Sequence, residues 1–271
     1  MYPTIVSDDL WAALAPLLPS EPPKPRGGRP RCDDRAALAG IIFVLRSGIL
    51  WEMLPGELGC SGMTCWRRLR DWHEAGVWAG LHRVLLERLL NAGHLDWSRA
   101  SLDSAFVAAK RGVPRPARTR RIAGRTGRRQ RHLVVGRKGT PLGVRLSPAN
   151  RHDSLMLAST LDAVPGARRG RGCGRPRRPD KLHADKAHDH RRCRKECRAR
   201  SIRARIARRG VDSSEKLGRH RWVVERTLAW LNRFRRLAIR YERRADIHEA
   251  FTLLGCVLIC LNQIRRFCQM L

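Results

Sequence analysis

The hydrophobic pattern of this chain changes period once, just after Trp97. Before that point apolar residues recur at helical spacing. After it they fall into short runs broken by turns, and then alternate between helix-like and strand-like segments. A chain built this way is divided into an all-helical part and a mixed part. Six of the eight tryptophans lie in the first part, so the N-terminal third can build an aromatic core of its own.

In the first part, Ser7 to Leu18 reads as a helix capped by Ser7, with Asp8 and Asp9 in its opening turn. The loop "PSEPPKPRGGRPRCDD" follows. "DDRAALAGIIFVLRSGILWEMLP" is helical with Gly48 as its stop, and "SGMTCWRRLRDWHEAGVWAGLHRVLLERLLNAG" restarts after a short turn. This is the layout of a helix-turn-helix, in which Met63 to Trp72 is the recognition helix. Thr64, Arg67, Arg68 and Arg70 would face a major groove while Trp66, Leu69 and Trp72 pack inward. An ordinary helical bundle with a solvated basic face fits the same spacing.

In the second part, "RASLDSAFVAA", "RHLVVGRKG" and "TPLGVRLSPAN" form a three-strand meander turning at Lys138-Gly139. "DSLMLASTLDAV" is a helix starting at Asp153 or Ser154, capped by one of the two. "DKLHADKA" is a fourth strand, "DHRRCRKECRARS" a basic helix and "IRARIAR" a fifth strand. Residues 219–240 and 246–268 are long helices. The order describes an α/β domain of ribonuclease H type behind a small all-α, helix-turn-helix-like domain, with expected boundaries of 1–95 and 98–271.

Charge narrows the partner. Lys and Arg total 56 against 24 Asp and Glu, a net charge of +32, so a polyanion is expected and nucleic acid is the default. Residues 111–131 hold nine arginines and no acid, without strand or helix periodicity, and read as a mobile basic loop. Residues 166–179, with Arg168, Arg169, Arg171, Arg175, Arg177 and Arg178, read as a second one. Nine scattered cysteines and an opening "MYPTIVSDDLW" without a signal-peptide pattern suggest reduced thiols in a cytosol. The apolar tract at 250–264 is shorter than the ~20 residues of a membrane span. It is expected to be a buried helix or an oligomer contact.

Against this basic background three acids stand alone. Asp103 sits inside the first strand, Asp185 at the end of the fourth, and Glu225 is the only acid of a long apolar and basic helix. A carboxylate among apolar residues is costly unless a cation compensates it. Arginines could do so: Arg221 lies one turn before Glu225 on the same face. Two Mg²⁺ or Mn²⁺ ions could do so as well, bound by hard oxygen ligands, and that is the chemistry of in-line phosphodiester displacement. His183, His188, His190, Cys193 and Cys197 crowd one stretch and raise a zinc site as a lesser reading.

"YPTIVSDDLWAALAPLLP", "RHLVVGRKGTPLGVRLSPANRHDS", "LHADKAHD" and "HRWVVERTLAWLNRFRRLAIRYERR" resemble bacterial insertion-sequence transposases of the IS-five-like group, with a DDE catalytic domain. The resemblance covers nearly the whole chain. It implies a ribonuclease H-like core, divalent metal, and cut-and-insert chemistry on double-stranded DNA: element ends and target. By motif the acids fall on Asp103, Asp185 and Glu225, and Arg221 with Glu225 fits the signature around the family's Glu. Gly218 and Asn232 stand where that signature has Tyr and Lys, so Arg233 or Arg236 is expected to take over the phosphate contact. Arg226, beside Trp222 and Trp230, is expected at the DNA backbone too, and His188 occupies an aromatic position. Pairing two ends implies a homodimer or higher oligomer, acting in a bacterial cytoplasm on the nucleoid. Residues 111–131 have no counterpart in the family and take the form of compensating frameshifts. A second reading is therefore a catalytically inactive copy that only binds DNA or represses.

Overall fold

The computed structural model describes residues 5–20, 31–110, 129–165, 178–211 and 214–268. Most of both arginine-rich stretches (111–128 and 166–177) lies outside them.

Capping decides where the N-terminal helices begin. Ser7 accepts from the Leu10 amide at the start of α1 (Asp8–Leu14), Asp33 from Ala36 at α2 (Asp34–Ser47), and Ser61 from Thr64 at α3 (Gly62–Glu74). Gly48, at φ 74°, closes α2 in the left-handed region. Residues 48–61, which contain two 3-10 turns, separate α2 from α3, a longer connection than the 3–4 residues of a helix-turn-helix. Gly62 is required there, because a Cβ would come within 1.8 Å of the Trp51 carbonyl oxygen. Ala75 and Gly76 then turn the chain directly into α4 (Val77–Asn91).

The sheet is made of β1 (Ala100–Ala109), β2 (Arg129–Gly136), β3 (Pro141–Pro148), β4 (Lys181–Ala184) and β5 (Arg203–Ile206), in the order β3-β2-β1-β4-β5. The first three are antiparallel; β4 and β5 run parallel to β1. α5 (Asp153–Asp162) and α6 (Arg191–Ala199) lie between β3, β4 and β5 in sequence, as crossovers between parallel strands require. This is the ribonuclease H-like order, and the mixed α/β class follows from it.

Two expectations change. The basic stretch at 111–131 ends in β2, where Gln130 and Arg131 are buried. The helix expected over 219–240 is α7 (Ser214–Asn232), a break, α8 (Arg235–Ala238) and β6 (Ile239–Arg240). Phe234 is extended at the break, so Leu231, Phe234 and Leu237 close on Gly255 while Ile239 and Arg240 pair with Ala108 and Ala109 of β1. Strand pairing and packing outweigh the helical propensity of the segment.

The last helix, α9 (Ala245–Cys268), explains the apolar tract. By length and composition it could cross a membrane, but its apolar window is 72% buried inside the protein. It packs between α4 and the sheet, with Phe251 stacked on Trp51 at 5.6 Å. The His82 imidazole of α4 bonds the Pro141 carbonyl of β3 at 2.8 Å, and one hydrophobic core runs from α1 through α9 to β1.

Candidate active site

Two of the isolated acids meet at one guanidinium, and the charge of the third acts on it. Asp103, buried in β1, accepts from its neighbour's amide at Ser104 (2.8 Å) and from Arg221 of α7 (2.8 Å). Glu225, one helical turn after Arg221, lies 3.7 Å from the same guanidinium and is 60% exposed. Asp185 stands directly after β4 and caps a short 3-10 turn. Its Oδ1 accepts from the Ala187 amide (3.1 Å) and from Nδ1 of the fully buried His188 (2.7 Å). Burial alone would lower the Arg221 pKa. The bond to Asp103 and the charges of Asp103, Asp185 and Glu225 outweigh it and raise the value. Burial would likewise raise Asp185, but the His188 bond and charge, Arg221 and the Ala187 amide hold its carboxyl below the ordinary range.

Beneath this group, on the opposite face of β1, lies a polar layer that no local sequence pattern announces. Ser104 donates to Asp153 (3.0 Å), and Gln130 donates to both Ser104 and Asp153. His132 lies 3.8 Å from Asp153 and bonds Ser147 at 2.8 Å; burial pushes its pKa down to about 4. The cap of α5 is the His152 side chain, which accepts from the Ser154 amide, so Asp153 is free to join the layer instead of capping.

The arginines expected at DNA are placed unequally. On α3, Arg67 is exposed, Arg68 is paired with Asp34 at 2.9 Å, and Arg70 bonds Asp71 and lies over Trp66. Thr64 is held by Ser61 at 2.9 Å. On α7, Arg226 is stacked between Trp222 and Trp230 at 4.5 and 4.7 Å and donates to the Lys138 carbonyl. Arg233 is exposed. Arg236 departs from expectation: it is 4% exposed and donates to Glu242 (2.6 Å) and to the Ile49 carbonyl (2.8 Å). Its guanidinium ties α8 to the end of α2, because the break after Asn232 turns it inward, and it presents no surface to DNA.

The oxygen-only donor set of Asp103, Asp185 and Glu225 suits a hard divalent cation such as Mg²⁺ or Mn²⁺. As placed, Asp103 and Glu225 turn to Arg221 and Asp185 to His188, and among the described residues no three His, Cys, Asp or Glu are gathered tightly enough to hold an ion. The same finding bears on the zinc reading. Cys193 and Cys197 are buried in the contact of α6 with α5, the first donating to the Ser154 carbonyl, while His188 serves Asp185.

Comparison with known proteins settles the family. The family model described as "Transposase DDE domain" matches residues 96–262, and one described as "Putative transposase of IS4/5 family" matches residues 6–82. The chain belongs to the DDE transposase family. Two relatives come from Burkholderia cepacia. An uncharacterized 16.2 kDa protein of insertion element IS402 is 53% identical over 40% of this chain and 76% of its own length. A "Putative transposase for insertion sequence element IS402" is 49% identical over 52% of this chain and 66% of its own length. Among solved structures, a Mos1 transposase paired-end complex with a left transposon end is 15% identical, covers 88% of this chain and 82% of its own, and has a TM-score of 0.27. A Mos1 mariner paired-end complex with Mn shares 13% identity at the same TM-score. Likeness at that level carries no argument about this transposase. The motifs' resemblance to insertion-sequence transposases of DDE type agrees with the family match.

Proposed function

We propose that this transposase cuts the ends of its insertion element and joins the released 3′-hydroxyls to target DNA, with Asp103, Asp185 and Glu225 as its catalytic, metal-holding acids. The observation that carries the reading is the meeting of Asp103 of β1 and Glu225 of α7 at the Arg221 guanidinium, on which the charge of Asp185, just after β4, also acts. Bound Mg²⁺ or Mn²⁺, two ions in this reading, would supply activation of the attacking oxygen and stabilisation of the leaving one. The chain's own residues do the rest. His188 fixes the Asp185 carboxylate through Oδ1. Arg221 offers a guanidinium to the phosphate whose bond is exchanged, and exposed Arg67 and Arg233 contact the DNA backbone.

Residues 1–95 would recognise the terminal repeats and 98–271 perform the chemistry, as a homodimer or larger synaptic assembly in the bacterial cytoplasm, on nucleoid DNA. The test is cleavage of a labelled duplex carrying the flanking element ends in Mg²⁺, with wild type and Asp103→Asn. Nicking at the element end by wild type and none by the variant is expected. End binding by wild type without any cleavage would instead mark an inactive, DNA-binding copy.

A further inference from the structure

Parallel pairing extends the face that carries the catalytic acids to the edge of the sheet. Ser101 of β1 is registered with His183 of β4, and His183 with Arg205 of β5. Registered residues on neighbouring strands share a face, and so do residues two apart on one strand. Asp103 and Asp185 lie two residues beyond Ser101 and His183. Arg203 and Arg205 are therefore on the face of the acids, two strand spacings, or about 10 Å, from β1.

β5 ends the strand order, and both arginines are exposed, whereas Ile206 is buried. Neither has an acidic partner among the described residues. Two arginines of α6 and its C-terminus differ: Arg194 pairs with Asp189, and Arg200 with Asp162 and Glu196. α6 also lies across the sheet from the acids. It packs on α5, whose Asp153 bonds Ser104 on the face opposite Asp103. Charged residues on an edge strand guard against strand addition. That role is indifferent to which face the charges occupy. Here two unpaired cations occupy the catalytic face.

We propose that Arg203 and Arg205 bind successive phosphates of the DNA strand as it leaves the catalytic acids across the β5 edge, a contact separate from those of α3 and α7. The inference rests on the transposase reading above. Guanidinium forks match phosphate oxygens and read no base edge, so this contact adds affinity without sequence preference.

The test is fluorescence anisotropy of the full chain on a labelled duplex without divalent metal, repeated over a range of salt concentrations. Each lost phosphate contact reduces the magnitude of the slope of log K against log salt by about 0.9. Arg203→Gln with Arg205→Gln is expected to reduce it by about 1.8, on duplexes of any sequence, and Arg203→Lys with Arg205→Lys to retain most of it. Lys195→Gln with Arg198→Gln removes the same charge from the exposed side of α6 and should leave the slope near wild type. An unchanged slope in the Arg203/Arg205 Gln variant, or equal losses in both Gln variants, overturns the proposal while the transposase reading stands. A wild type without salt-dependent DNA binding overturns both.

Discussion

Two arginine–carboxylate pairs, one on each side of the break after α7, have the same chemistry and opposite settings. Arg221 and Asp103 meet at 2.8 Å, with Glu225 and Asp185 close by and the guanidinium one quarter exposed. Arg236 and Glu242 meet at 2.6 Å with 4% and 3% exposure, beside the buried His248 and over the Tyr241 ring. The first cation stands among more acids than it can neutralise, in reach of solvent and of a ligand. The second is balanced and closed off, and its further bonds go to backbone carbonyls. A functional arginine is recognised by what remains unbalanced around it, and its place in a basic helix says little.

The largest effect should come from the closed pair. Arg236→Met leaves Glu242 buried without its cation and should cost about 3–5 kcal/mol in urea unfolding. Arg221→Gln should cost clearly less, because solvent and Ser104 still serve Asp103. Similar losses in the two variants would erase the distinction drawn between them. Next comes the open site: His188→Ala should weaken the Mg²⁺ dependence of cleavage by about 10–100-fold, as loss of a partner that orients a ligating carboxylate does. His188→Gln should recover part of it, and equal activity at all Mg²⁺ concentrations would count against the orienting role.

The smallest effect is in acid. Burial would raise the Glu242 pKa, but the His248 bond and the Arg236 charge hold it below its ordinary 4.5. A carboxylate depressed on folding contributes stability above its unfolded value and loses it as pH falls through the folded one. Acid unfolding should therefore begin at higher pH in Arg236→Met, and Glu242→Gln should remove this contribution to the pH dependence; a midpoint unchanged by both substitutions would refute the coupling.

Much of the architecture was legible along the chain. The change of period after Trp97, the cap at Ser7, and the five strand segments were readable because helices and strands impose periods of 3.6 and 2 on neighbouring residues. The candidate acids stood out for a related reason, since an isolated carboxylate in an apolar or basic setting needs a partner wherever it ends up. Arg236, expected at a phosphate in place of the signature's Lys, turns inward instead, and the joining of Ser104, Gln130, Asp153 and His132 into one polar layer could not be read along the chain, because its members come from β1, β2 and the start of α5.

Local periodicity and charge balance thus marked the change from helical to mixed structure and the three isolated acids, while the quoted motifs carried the family resemblance. Tertiary structure alone decided that Asp103 meets Arg221, which arginines face inward, and that Arg203 and Arg205 share a face with Asp103. The reason is physical: ion pairing and burial act between atoms a few ångströms apart in space, and strand register places residues together whatever their separation in the sequence.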